Sequence, residues 1–181
     1  RFPQLSALRQ EILNWRFYHQ FRSDADSPIR HPQVGVRTPI LSHDGHDLAA
    51  ALQTIIEIGN GPALHRAVAR AFPGGELTIE GGGARFSVWL RLPEFKRSFD
   101  ARELSDGTVR YLCLLAALLS PRPPTVLALN EPETSVHPDL LEPLAELIVS
   151  AAEASQFWIT THSSILADAI QRLSGVEPVR L

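Results

Sequence analysis

Val126-Leu127-Ala128-Leu129-Asn130-Glu131-Pro132-Glu133 reads as a buried apolar strand that runs out into a polar cluster. Ligands and catalytic groups of parallel sheets gather at the carboxyl ends of strands, which is where Asn130 and Glu131 fall. A carboxylate in that position can orient or deprotonate a water attacking a phosphorus atom, a step in which positioning and electrostatics supply most of the catalysis. The same residues also fit a solvated strand end followed by a proline turn, so the stretch acquires meaning only from its neighbours.

Downstream, Trp158-Ile159-Thr160-Thr161-His162-Ser163 repeats the arrangement: a hydrophobic strand over 156–161 that ends in polar residues. The histidine there can donate to a phosphate oxygen, or serve as an ordinary structural hydrogen-bonder. Upstream, Leu104-Ser105-Asp106-Gly107-Thr108 immediately precedes a long apolar helix over 108–119. Unpaired amides at a helix N-terminus attract phosphate oxygens, although a serine in that place is commonly just an N-cap. A proline-rich loop at Pro121, Pro123 and Pro124 leads into the strand 125–129, and helices follow over 138–154 and 164–173. Strands alternating with helices predict an α/β fold with a mostly parallel sheet.

The first 103 residues read as an α+β lobe, leaving 104–181 as the α/β lobe. Leu5, Leu8, Ile12 and Trp15 recur at helical spacing, which predicts an amphipathic helix over 3–15 with one core-facing stripe. A short aromatic strand over 15–21 and an extended loop over 22–39 follow. Asp47 stands as an N-cap for a helix over 48–58, and Gly59-Asn60-Gly61-Pro62 breaks it before another helix over 63–72. Two β-rich runs, 76–80 and 85–90, flank Gly81-Gly82-Gly83 as in a hairpin, with a further strand near 95–99.

Composition narrows the function. The 181 residues carry a formal charge of −3, so no global positive field advertises nucleic acid or an anionic membrane, and any DNA contact would be local. Arg91, Lys96, Arg97 and Arg102 could touch phosphate or DNA, but charges at strand edges commonly serve solvation and edge protection. The lone cysteine, Cys113, lies in an apolar run and reads as a buried small hydrophobe; no disulfide framework or cysteine metal site is available within one chain. No apolar stretch approaches the ~20 residues of a membrane span and no leader is evident, which makes a cytoplasmic protein the expectation. The chain opens on Arg1-Phe2-Pro3 without methionine, so further sequence upstream is also expected. Glu131, His137 and His162 lack the spacing of a histidine metal motif, His43, Asp44 and His46 read as turn and cap residues, and Ser163 has no nucleophile-elbow context.

The ordered set of three motifs resembles the C-terminal half of the RecF/SMC-type ATP-binding-cassette ATPases over 104–169, and most of all the bacterial ATPases of the AAA-like, OLD-related group. Trp15-Arg16-Phe17-Tyr18-His19 and Leu41-Ser42-His43-Asp44-Gly45 are similar to segments that such ATPases carry before the signature. The resemblance implies a P-loop NTPase fold, ATP and Mg²⁺ as cofactors, and a homodimer across the nucleotide site. It makes Ser105 and Gly107 the signature contacts to ATP held by the opposite subunit, and Glu131 the catalytic glutamate. Asn130 takes the Walker B position associated with Mg²⁺, His137 lies in the D-loop at the dimer seam, and His162 is the switch histidine. Asn130 stands where the family has aspartate, which removes one charge from the metal shell but leaves an oxygen able to hold a metal-bound water. No Gly-x-x-x-x-Gly-Lys-Ser/Thr occurs in the 181 residues, so they are expected neither to bind ATP tightly nor to hydrolyse it alone. The implied function is ATP binding and hydrolysis with ATP-dependent dimerisation; the alternative is a non-hydrolysing, nucleotide-dependent regulatory or interaction module, with DNA as a partner the net charge does not support.

Overall fold

The computed structural model describes residues 2–82 and 84–179. Strands β1 (Arg16–Tyr18), β6 (Val126–Asn130) and β7 (Gln156–Thr160) form a parallel sheet in the order β1-β6-β7. Parallel neighbours need a crossover, and helix α5 (Leu141–Ala151), entered through a short 3₁₀ turn at Pro138–Leu140, supplies the one between β6 and β7. Leu127 and Leu129 are buried, and the register pairs Asn130 with Thr160, so both strands end level with one another.

Helix α4 (Asp106–Leu118) is the centre of the molecule. Every residue from Tyr111 to Leu118 is buried, and the helix packs on α2 (Leu48–Ile58) and α5. A helix that is apolar all round needs such cover on every side. Cys113 lies within it, and burial pushes its thiol pKa up, as expected of an inert hydrophobe.

The remaining strands make an antiparallel sheet. β3 (Glu76–Gly82) and β4 (Arg85–Arg91) form the expected hairpin, with Gly83 outside the described residues. β4's other edge is shared by β2 (Gln33–Val34) and β5 (Ser98–Asp100). Helices α2 and α3 (Gly61–Ala71) cover this sheet, with Asn60 capping α3 through Ala63 N. One hydrophobic cluster runs from Tyr18 to Ala169 through both sheets. Helix α6 (Ser164–Ser174) closes the fold against α5, where Arg172 pairs with Glu142 at 2.5 Å.

Three local expectations are corrected. Helix α1 (Pro3–Asn14) forms, but its stripe is not core-facing: none of its residues is buried, and Leu5, Leu8 and Ile12 are exposed. Periodicity reports an apolar face without saying what covers it. Asp47 precedes α2 but its side chain makes no cap; its oxygens accept from the backbone N–H of Ser42 at 2.9 Å and from the Ser42 hydroxyl at 2.6 Å. The carboxylate therefore closes the 42–47 turn, where Gly45 takes a positive φ of 76°. The loop over 22–39 also holds more structure than its composition suggests, namely a 3₁₀ turn at Pro28–Arg30 and strand β2. Among the described residues no helix is long and apolar enough to cross a membrane.

Candidate functional site

The carboxyl rim of the parallel sheet brings Asn130, Glu131 and His162 together. Asn130 is the last residue of β6, and its Oδ1 accepts a hydrogen bond from the Thr160 hydroxyl at 2.7 Å. Glu131 turns the chain with a φ of 46°, and its amide donates to Thr160 O at 2.8 Å. A non-glycine residue in the left-handed region is strained unless its surroundings hold it, and such residues concentrate at functional sites. The Glu131 carboxylate lies 3.4 Å from His162 Nε2 and 3.4 Å from the Thr134 hydroxyl. His162 itself is 88% exposed and Glu131 43%, so both are presented to solvent. A shallow cleft opens beside Glu131, lined by His19 and Gln20 from the end of β1, by Arg110, and by Asn130, Glu131 and Thr134, with His162 outside its lining. No group of three or more His, Cys, Asp or Glu able to hold a metal occurs among the described residues.

Ser105 lies outside that cleft. It is exposed, extended in backbone, and caps α4 by accepting from the Thr108 N–H at 3.1 Å, with the Thr108 hydroxyl 2.8 Å away. Gly107 faces inward: a Cβ there would lie far inside van der Waals contact of the Ser135 carbonyl oxygen. One turn further along α4, Arg110 donates to Thr134 O at 3.3 Å and to Ser23 Oγ at 3.2 Å. The N-terminal turn of α4 and the 134–135 turn are thus packed together, the latter with Ser135 at a φ of 64°. Gly107→Ala is expected to cost roughly 1–3 kcal/mol through overpacking, seen as a fall of roughly 2–12 °C in melting midpoint. An unchanged midpoint would show that the Ser135 carbonyl gives way freely. His137 caps the 3₁₀ turn through Asp139 N at 3.3 Å and is exposed, beyond the cleft lining.

Three residues take part that the motif reading gave no role. Glu133 accepts hydrogen bonds from Thr161, His162 and Ser163. Arg30 reaches from the 22–39 loop to hold the turn before α4, donating to Ala101 O and Leu104 O at 2.7 Å each and to Asp106 at 2.5 Å. Arg110 bridges α4 to the 134–135 turn. Only Glu133 carries a signal in the sequence, as a second carboxylate two places beyond Glu131 across a proline. Arg97 and Arg102 are engaged internally by Glu103 and Asp100, the second pair holding the Asp100 carboxyl below the usual carboxylate range; Arg91 stands 3.6 Å from Glu76.

This architecture, a parallel sheet with a polar carboxyl rim beside a serine-capped buried helix, resembles the P-loop NTPase fold of SMC head domains. The model of the family described as "AAA domain, putative AbiEii toxin, Type IV TA system" matches residues 3–168, and the chain belongs to that family. No curated protein sequence matches it. Solved structures show the same fold. The Smc head domain of Pyrococcus furiosus, with an extended coiled coil and the C-terminal domain of ScpA bound, is 17% identical with a TM-score of 0.52, over 65% of this chain and 31% of that one. A structure described under ATP-driven dimerization and DNA-stimulated activation of SMC ATPases is 16% identical, TM-score 0.52, over 67% and 77%. An SmcHead bound to the C-winged helix domain of ScpA is 14% identical, TM-score 0.56, over 72% and 49%. The chain thus spans less than a third of the first and about half of the last.

Proposed function

We propose that the chain is the signature-to-switch portion of an ATPase that binds ATP between two copies of the full-length protein. The observation that carries this reading is the meeting of Glu131 and His162 at 3.4 Å on the rim, beside an Asn130 held by Thr160. Glu131 would orient and deprotonate the attacking water, and His162 would donate to the γ-phosphate. Ser105, exposed and outside the cleft, suits a contact to nucleotide on the partner copy; Gly107 would serve it by letting the turn seat against Ser135.

The sheet edges bear on where a phosphate-binding loop would come from. On the outer edge of β1, His43 Nδ1 lies 3.0 Å from Phe17 O and 3.4 Å from Phe17 N, so that edge is covered. The far edge of β7 pairs with no strand among the described residues, and Trp158 there is 72% exposed. An unpaired edge of this kind invites another strand. A strand added beside β7 would end next to His162, where a phosphate loop is needed.

Mg²⁺ fits the donors present. It keeps several waters and takes one or two protein oxygens plus substrate phosphates, so the amide oxygen of Asn130 would suffice to hold it through a metal-bound water, without a protein cage. Bound there, the ion would neutralise charge on the phosphates. Asn130 also gives a second reading its footing: with one charge fewer, nucleotide would set assembly without being hydrolysed. Phosphate release by the full-length protein, compared with Asn130→Asp, separates the two. Substantial release by both is expected; release that appears only with Asp would favour the regulator.

A further inference from the structure

Glu133 has three donors on one carboxylate oxygen and none on the other. Oε1 accepts from the Thr161 hydroxyl at 2.7 Å, the His162 N–H at 2.8 Å and the Ser163 N–H at 3.2 Å. Oε2 is buried with no partner among the described residues. The two amides belong to the peptide units on either side of the His162 Cα. Because each peptide unit is planar, fixing both N–H directions restrains φ and ψ of His162 together. The Thr161 hydroxyl also accepts from Ser163 N at 3.0 Å, which closes the turn around the same residue.

The His162 ring lacks any comparable restraint of its own. It is largely exposed, and its one charged neighbour among the described residues, Glu131 Oε1, stands at 3.4 Å, longer than a strong hydrogen bond. The backbone restraint therefore fixes the direction of the His162 Cα–Cβ bond, from which the imidazole reaches towards Glu131. Charge-assisted bonds to amides are roughly twice as strong as neutral ones, and Ser163 is the N-cap of α6, where a negative charge is favoured. Glu133 also follows Glu131 by two residues across the buried Pro132. One carboxylate thus ties the turn after β6, which carries Glu131, to the turn after β7, which carries His162.

We propose that Glu133 is a positioning residue that aims His162 at the reacting phosphate and holds it in register with Glu131. The proposal rests on the ATPase reading above. A carboxylate that merely stabilised the loop would leave turnover untouched when replaced, which gives the distinguishing test.

The experiment combines amide hydrogen exchange at His162 and Ser163 with ATP hydrolysis, both in the full-length protein, for wild type, Glu133→Ala and Glu133→Gln. Glu133→Ala is expected to speed exchange at both amides by about tenfold or more. It is expected to lower kcat by about tenfold or more, with KM within about twofold, because misaiming a group by an ångström costs turnover before it costs binding. Glu133→Gln keeps an acceptor oxygen of the same reach and is expected to recover most of both. Unchanged exchange in Glu133→Ala overturns the proposal, and so does faster exchange with kcat intact while the wild type turns over ATP. A wild type that releases no phosphate, with exchange still accelerated in Glu133→Ala, overturns the ATPase reading instead and takes the catalytic part of the proposal with it. Thr161→Val, which removes one of the donors and no charge, covers the case in which Glu133→Ala fails to fold: kcat is expected to fall about threefold at constant KM, and an unchanged kcat overturns the proposal.

Discussion

Glu131→Gln is expected to lower phosphate release by the full-length protein by about two to four orders of magnitude, the range associated with losing a general base. ATP binding should persist, and an ATP-bound dimer should accumulate because closure no longer ends in hydrolysis. The substitution keeps the shape of the side chain and its ability to meet His162 Nε2 and the Thr134 hydroxyl, while removing the capacity to take a proton. The amide of residue 131 still donates to Thr160 O, so the turn after β6 is not disturbed. Phosphate release in steady state, with dimer mass followed by light scattering in the presence of ATP, measures both halves of the result. A variant that turns over ATP at the wild-type rate would remove Glu131 from the mechanism.

Arg30→Ala carries the largest expected loss of stability. The Arg30 side chain is only 5% exposed, and its guanidinium is spread over four partners: Ser23 O at 2.8 Å, Ala101 O and Leu104 O at 2.7 Å, and Asp106 at 2.5 Å. Truncation leaves three carbonyls without their donor, along with a void the size of the side chain. Unpaired buried acceptors cost about 1–3 kcal/mol each before relaxation, so a net loss of roughly 3–5 kcal/mol is expected. For a chain of this size that is a fall of roughly 6–20 °C in melting midpoint, read by calorimetry. Arg30→Lys should recover less than half of it, because a single ammonium cannot reproduce the fork. A fall of less than about 2 °C in Arg30→Ala would show that water replaces the guanidinium at all three carbonyls.

Arg30 also shows where reading along the chain stops. Its neighbours are prolines, aspartates and a glycine, a composition that marks a loop and nothing more, whereas its partners lie more than 70 residues away at Ala101, Leu104 and Asp106. Gly107 is a related case. As part of a signature-like pentapeptide it invites a phosphate, and the packed structure adds a separate requirement for it, the approach of the Ser135 carbonyl. Glu133 was visible as a polar residue in the strand-end cluster, but that its carboxylate would reach the turn after the next strand depended on β6 and β7 being neighbours in register.

What the order of residues determined by itself was local and periodic. The apolar run of α4, the two hydrophobic strands and their polar ends, the hairpin about the glycines, and the rim position of Asn130, Glu131 and His162 all follow from spacing and turn chemistry within a dozen residues. The tertiary structure alone decided that the α1 stripe is left uncovered, that Asp47 closes a turn instead of capping a helix, and that Arg30 and Glu133 tie distant turns together. The reason is physical: periodicity records which face of an element is apolar, but what covers that face, and which carbonyl or amide comes within 3 Å of a buried charge, depends on how separate elements pack.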